Sequence, residues 1–162
     1  MQDQAKHQGI TMNVGEICQR NVITVRPFDE LTGAAQLMRE KHVGYLIVVE
    51  PALSEGSFKP VGVLTDRDIV IAVVARETDA RTLRVGDVMT RQPVVADEGD
   101  ALATALKQMR RIGVRRLPVV GTHEELVGVL SLDDVIDTLV GELKDVAGSI
   151  RSEQLIEHTL RP

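Results

Sequence analysis

GVLTDRDIV at residues 62–70 and GVLSLDDVI at residues 128–136 are two versions of one short sequence. Each runs from small apolar residues into a hydroxyl residue that is followed three positions later by an aspartate: Thr65 with Asp68, and Ser131 with Asp134. This pattern is typical of a buried strand that turns directly into a helix. The repetition predicts an internal duplication with the same strand-to-helix corner in both halves.

The sequence around these corners supports the duplication. Residues 14–49 align without a gap to residues 85–120, at an offset of 71 positions and with 12 identities in 36 positions. Most of the identical residues are apolar, which indicates a shared core. The first copy then carries five extra residues within EPALSEGSFKP, at 50–60, and its Pro, Ser and Gly residues predict a surface hairpin.

Each copy is predicted to form a strand, a helix, two strands and a second helix. In the first copy VITV at 22–25 is a short strand, and Asp29 is the expected N-cap of the helix that follows. The second copy repeats this order with PVVA, a helix over 101–112, RLPVV, LVGVL and a helix from Leu132. Pro118 within RLPVV has no amide hydrogen, which favours an edge or a strand start.

Composition and net charge limit the classes of function that this chain can have. Of the 162 residues 43% are hydrophobic and only 2% aromatic, which predicts an aliphatic core. The net charge of -5 opposes general binding to nucleic acid or to anionic membranes. The absence of a long apolar run, the polar start and the single cysteine, Cys18, favour the cytoplasm.

The two corners admit two explanations. In the first explanation, the hydroxyl of Thr65 or Ser131 caps the helix by accepting from the backbone amide of the third helical residue. The aspartate at that third position reaches back to the capping residue, although Glu or Gln reaches back more easily than Asp. In the second, the helix N-terminus and the hydroxyl hold a phosphate while the carboxylate accepts hydrogen bonds from the two hydroxyls of a ribose. Two copies in a duplicated frame give weight to binding.

The motifs VGEI, VGDVMT, VRRLPVV, GVLTDRDI and GVLSLDDV resemble the cystathionine β-synthase-type (CBS) domain pair. The resemblance implies an α+β (α/β) fold of two βαββα units packed pseudo-symmetrically, with a C-terminal helical extension. The expected organisation is a flexible segment 1–13, a first domain 14–76, a linker 77–84, a second domain 85–140 and the extension 141–162. Pairs of this family bind adenosine-containing ligands such as AMP, ADP, ATP, NAD or S-adenosylmethionine in clefts between the repeats.

The resemblance also suggests a ligand-binding set. Thr65 and Ser131 correspond to phosphate contacts, and Asp68 and Asp134 to ribose ligands. Arg67 and Asp133 occupy a further ligand-facing position with opposite charge, so the two clefts are expected to differ. The basic position before the second strand is filled by Arg115 and Arg116 but by Gly44 and Tyr45 in the first copy, and strand alternation predicts that one arginine reaches the cleft. Thr24 and Val95 correspond to residues that line the adenine pocket.

We interpret the chain as a stand-alone regulatory module that senses an adenine nucleotide and not as an enzyme. The sequence contains no G-x-S-x-G, G-x-x-x-x-G-K-[ST] or H-E-x-x-H motif, and no obligatory cofactor or metal site is expected. The expected partners are a small adenosyl ligand, a second copy in a homodimer and an unknown downstream protein, without nucleic acid or membrane.

Three features of the sequence admit more than one explanation. The hydroxyl–acid corners could be caps only, in a purely structural dimerisation module. The arginines from Arg110 to Arg116 could serve nucleic acid, which the net acidity opposes. An apolar stripe of Leu139, Leu143, Val146 and Ile150 predicts that the last helix continues past Gly141, packed either on the chain's own body or on a partner helix.

Overall fold

The computed structural model describes residues 12–54 and 56–160, with the side chains of residues 153–160 left aside. Most of the predicted flexible segment 1–13 therefore lies outside the described residues. Its last two residues are held in place, because the Met12 carbonyl accepts from the Leu102 amide at 3.0 Å and Asn13 bridges to Ala101. Within the described residues, no helix is both long and apolar enough to cross a membrane.

The described residues form two small sheets flanked by helices, the mixed α/β arrangement that the repeats predict. The first repeat contains α1 (Val14–Ile17), β1 (Thr24–Val25), α2 (Leu31–Lys41), β2 (Tyr45–Pro51), β3 (Phe58–Thr65) and α3 (Asp66–Ile69), which continues as a π-helical turn over Val70–Val74. The second contains α4 (Val85–Val88), β4 (Thr90–Arg91), β5 (Ala96–Asp97), α5 (Leu102–Ile112), β6 (Arg116–Val120), β7 (Leu126–Ser131) and α6 (Leu132–Leu160).

Each sheet is assembled from both repeats. β2 pairs in parallel with β1 and antiparallel with β3, and β3 then takes β4 from the second repeat as its outer neighbour. The other sheet has the order β5-β6-β7, and Gln19 of the first repeat bridges to Val129 on the outer side of β7. The start of each repeat thus crosses over to the sheet of the other repeat.

The two cores show the same exchange. Val14, Ile17 and Cys18 of the first repeat pack with Leu117, Val119, Leu130 and other buried residues of the second. Val85 and Met89 of the second repeat pack with Leu31, Leu46 and Leu64 of the first. Burial of aliphatic side chains stabilises both cores, at about 1.5–3 kcal/mol for each fully buried side chain. Neither core is complete without residues from the opposite repeat.

The glycine that opens GVL in each repeat is explained by this crossing. A Cβ on Gly128 would lie 2.8 Å from Cys18 Sγ and 2.9 Å from the Gln19 carbonyl oxygen. A Cβ on Gly62 would lie 2.6 Å from Met89 Sδ and 3.0 Å from the Thr90 carbonyl oxygen. Only a residue without a side chain lets the opposite repeat approach the strand this closely.

Two local predictions are wrong. Asp29 is not the N-cap of α2, because Glu30 precedes the helix and Asp29 Oδ2 accepts from the Arg26 amide at 2.7 Å in the preceding turn. Pro118 lies in the middle strand of its sheet rather than at an edge. The strand tolerates it because β5 pairs only with Val119 and Val120, so no partner residue requires the missing Pro118 amide hydrogen on that side.

The final helix continues well beyond the second repeat. α6 runs from Leu132 to Leu160 through Gly141 and Gly148, which confirms the predicted helical extension. The apolar stripe on this helix was expected to pack against another surface. Its side chains are instead between 48% and 68% exposed, namely those of Leu139, Leu143, Val146 and Ile150. The described part of the chain therefore leaves these four residues uncovered.

Candidate functional site

At the first corner, β3 passes directly into α3 and a reciprocal hydrogen-bonded pair forms. The Asp68 amide donates to Thr65 Oγ1 at 3.1 Å, and Asp68 Oδ2 accepts from the Thr65 amide at 2.9 Å and from Thr65 Oγ1 at 2.7 Å. The pair is half-buried. Among the described residues, no hydrogen bond reaches Asp68 Oδ1, so this oxygen retains its capacity to accept.

The second corner, between β7 and α6, is similar but not identical. Ser131 is buried, its hydroxyl donates to Asp134 Oδ2, and it accepts from the Asp134 amide at 3.1 Å. Asp134 Oδ1 accepts from Gln19 Nε2 at 3.0 Å, across 115 positions of sequence. Sequence reasoning missed Gln19, because the matching position in the second repeat is Thr90 and no repeated motif marks it.

The first corner removes one argument for binding, namely that Glu or Gln would reach back more easily than Asp in a capping arrangement. Asp68 reaches the Thr65 amide, and the capping box is complete without any ligand. The choice of Asp over Glu is therefore not an argument for binding. What distinguishes the two corners is the second carboxylate oxygen, which is unoccupied within the described chain at Asp68 and bonded to Gln19 at Asp134.

The charged residues before β6 converge on one carboxylate. Arg115 Nη2 lies 3.4 Å from Asp133 Oδ1, and Arg116 Nη2 lies 3.6 Å from Asp133 Oδ2. Both arginine side chains therefore pair with Asp133, and which of them reaches the cleft stays a prediction. Arg115 stands just before the strand begins, and both side chains are long enough to reach the same acid.

Tyr45 joins this group from the other repeat. The Arg116 guanidinium lies 5.8 Å from the centre of the Tyr45 ring, within the range of a cation–π contact. Tyr45 and Arg116 are matching positions of the two repeats, and matching residues touch only where the pseudo-two-fold axis passes between them. The strands that end at the two corners, β3 and β7, also pack against each other.

The remaining predicted residues lie apart from these contacts. Arg67 is exposed on the first turn of α3, and Val95 is half-buried just before β5. Thr24 is exposed on β1, in the wall of two surface hollows of about 340 and about 300 Å³. The walls of these two hollows do not include Thr65, Asp68, Ser131 or Asp134.

Burial raises the pKa of two ionisable side chains, Tyr45 and Cys18. It raises the pKa of the Tyr45 phenol, an effect that the Arg116 charge partly offsets. It also raises the pKa of the Cys18 thiol, which is again partly offset, here by Arg20. Both groups are therefore neutral at physiological pH. In the described part of the chain, no cluster of three or more His, Cys, Asp or Glu side chains could hold a metal ion.

The model of the CBS domain family matches residues 14–75 and 85–141. The chain belongs to the CBS domain family. CBS domain-containing protein YhcV of Bacillus subtilis is 35% identical over 123 residues, which cover 76% of this chain and 82% of YhcV.

Other relatives are longer than the CBS pair. A protein of Methanopyrus kandleri is 30% identical over 126 residues, 78% of this chain and 62% of its own length. Inosine-5'-monophosphate dehydrogenase of Methanocaldococcus jannaschii is 32% identical over 121 residues, 75% of this chain but only 22% of the dehydrogenase. The match to the dehydrogenase is therefore limited to a small part of that protein.

Solved structures show the same fold. The CBS domain pair of protein MJ0100, in complex with 5'-methylthioadenosine and S-adenosyl-L-methionine, superimposes with a TM-score of 0.68 at 22% identity, over 82% of this chain and 98% of that one. A hexameric CBS-CP12 protein from bloom-forming cyanobacteria gives a TM-score of 0.66 at 24% identity, over 90% of this chain and 86% of that one.

Proposed function

We propose that this CBS pair is a regulatory module that binds an adenosyl ligand of the AMP, ADP, ATP or NAD class at its two corners. The observation that carries the proposal is Asp68, whose Oδ2 takes both hydrogen bonds from Thr65 while Oδ1 remains open within the described chain. Such a carboxylate is rigidly oriented and still able to accept from a ribose hydroxyl. The 5'-methylthioadenosine and S-adenosyl-L-methionine bound to MJ0100 support an adenosyl ligand in general, without favouring a nucleotide.

The second corner offers a related but different site. A ribose there would compete with or share Gln19, because Asp134 Oδ1 already accepts from its amide. Arg115 and Arg116 supply positive charge for a phosphate, and Arg67 does so at the first corner. We expect the two corners to bind with different affinities, and ligand binding to act by favouring one arrangement of the repeats over another.

A second function has one specific observation in its favour. The capping box at Thr65 is complete without a ligand, as expected for a purely structural module. Under this alternative, loss of Asp68 costs about 1 kcal/mol of stability, as for a lost cap, and no adenosyl ligand binds at all.

Self-association is part of the proposal. Apolar side chains on the π-helical turn and on α6 are exposed, namely Val70, Ile71, Val74, Ile136, Leu139, Val140, Leu143, Val146 and Ile150. An isolated helix that projects from the body is marginally stable in water, so most of its stability has to come from packing of its apolar face. We propose that a second copy covers this surface to form a homodimer, and the hexameric CBS-CP12 protein shows that a protein of this fold assembles.

Isothermal titration calorimetry tests whether the protein binds an adenosyl ligand and which one it binds. Protein whose bound small molecules have been removed by unfolding and refolding is titrated with adenosine, AMP, ADP, ATP and NAD. We expect heat with at least one of them, and a ten-fold or greater loss at the first site in Asp68→Ala, because hydrogen bonds to a charged group contribute about 1.5–3 kcal/mol each.

The matched control is Asp87→Ala at the start of α4. Asp87 Oδ2 accepts from the Arg84 amide at 2.8 Å, so this variant also loses a helix-start hydrogen bond, but among the described residues the Asp87 side chain forms no hydrogen bond with either corner. It should lower the melting temperature and leave binding unchanged. Absence of heat with all five ligands would contradict the binding function and favour the structural module.

A further inference from the structure

The two corners carry opposite charges at the same helix position. The second residue of the helix is Arg67 in α3 and Asp133 in α6. Arg67 is exposed, and among the described residues it forms no ion pair. Asp133 instead lies within 4 Å of both arginines that precede and begin β6, at 3.4 Å from Arg115 and 3.6 Å from Arg116.

The Asp133 carboxylate therefore already pairs with the two arginine side chains that a phosphate would need. A phosphate that approaches Arg115 and Arg116 has to displace the Asp133 carboxylate or remain beside it, and like charges repel. The side chains involved are 74%, 41% and 58% exposed for Arg115, Arg116 and Asp133, so each ion pair is weak. The competition should be modest and reversible, which suits selection between ligands better than permanent blockage.

We propose that Asp133 is a specificity-determining residue that makes the second corner discriminate against phosphorylated adenosyl ligands in favour of phosphate-free ones. At the first corner the matching residue is Arg67, whose charge favours a phosphate instead. This inference rests on the proposed function and adds a division of labour between the two corners. The discrimination grows with the negative charge of the ligand, so that it is greater for ATP than for AMP.

Titration calorimetry with adenosine, AMP and ATP compares the full-length wild type with Asp133→Asn. The variant keeps the size of the side chain and removes its charge. We expect affinity for AMP and ATP at the second corner to rise by up to about five-fold for each ion pair that a phosphate no longer has to break. Affinity for adenosine should change by less than two-fold.

Two further variants serve as controls. Asp133→Glu retains the charge and should show the wild-type preference. Asp145→Asn removes the same charge from α6, but 12 residues further along the helix, which is about 18 Å away and beyond the screening length at physiological salt. It should leave the affinity for every ligand unchanged.

The outcomes separate this inference from the proposed function. A gain restricted to AMP and ATP in Asp133→Asn supports it. Suppose instead that the proteins bind adenosyl ligands, but Asp133→Asn changes the affinity for adenosine as much as the affinity for ATP, or changes neither affinity. The role of Asp133 is then refuted and the binding function stands. If none of the proteins binds any of the three ligands, the binding function and the inference fail together.

Discussion

Replacing Gly128 by alanine tests the exchange of segments that builds both cores and carries Gln19 to Asp134. The new Cβ would lie 2.8 Å from Cys18 Sγ and 2.9 Å from the Gln19 carbonyl oxygen, closer than real Cβ atoms approach other atoms. The crossing segment must retreat. This movement stretches the two 2.9 Å hydrogen bonds between the backbones of Gln19 and Val129.

The expected loss follows from these contacts. Overpacking of this kind costs about 1–3 kcal/mol. Alanine recovers roughly 0.5–1 kcal/mol relative to glycine within a strand, so the middle of the two ranges leaves a net loss of about 1 kcal/mol. For a chain of 162 residues this lowers the melting temperature by about 2–4 °C.

Thermal unfolding followed by circular dichroism measures the effect, with two reference variants. Gly33→Ala lies inside α2, where a Cβ has open space, and should raise the melting temperature because alanine is the better helix former. Gly62→Ala should be destabilising but less so, since its nearest neighbour is the flexible Met89 side chain. A Gly128→Ala protein as stable as Gly33→Ala would refute the close crossing.

Two further predictions concern the surface of α6 and the buried thiol. Leu143→Glu, at a side chain that is 68% exposed, should convert a dimer to a monomer in size-exclusion chromatography with light scattering, whereas Ser152→Glu on the opposite face of the helix should not; a monomeric wild type would contradict the interface. The Cys18 thiol is buried and burial raises its pKa, so the folded protein should react with iodoacetamide at pH 8.5 more slowly than the urea-unfolded chain; equal rates would show that the thiol is not buried. Because the pKa is higher in the folded state, the stability that the neutral thiol contributes is lost as the pH rises through the folded-state pKa.

Much of the fold could be predicted because apolar residues recur at the same positions in both repeats. At the offset of 71 positions, Leu31 and Leu46 align with Leu102 and Leu117, and the element order follows from the spacing of such residues. The exchange of α1 and α4 could not be predicted. A repeat shows which residues are equivalent, but Val14 and Val85 would be equally apolar whether they packed within their own repeat or against the other.

The candidate site was only partly predictable for similar reasons. The pairs Thr65–Asp68 and Ser131–Asp134 are local, so their spacing predicted contacts that the structure contains. Gln19 reaches Asp134 over 115 positions, and no local pattern marks such a contact. The asymmetry of Arg115, Arg116 and Asp133 was visible as a change of charge, but their mutual pairing depends on side-chain length and on where β6 begins. The roles of all these residues in ligand binding stay predictions.

The most direct test of the central claim is a crystal structure of the protein grown with saturating AMP. We predict density for AMP at the first corner, with a ribose hydroxyl within hydrogen-bonding distance of Asp68 Oδ1 and the phosphate on the side of Thr65 and Arg67. Both corners empty at saturating AMP, or AMP bound at a place where its ribose contacts neither Asp68 nor Asp134, would contradict binding at the corners.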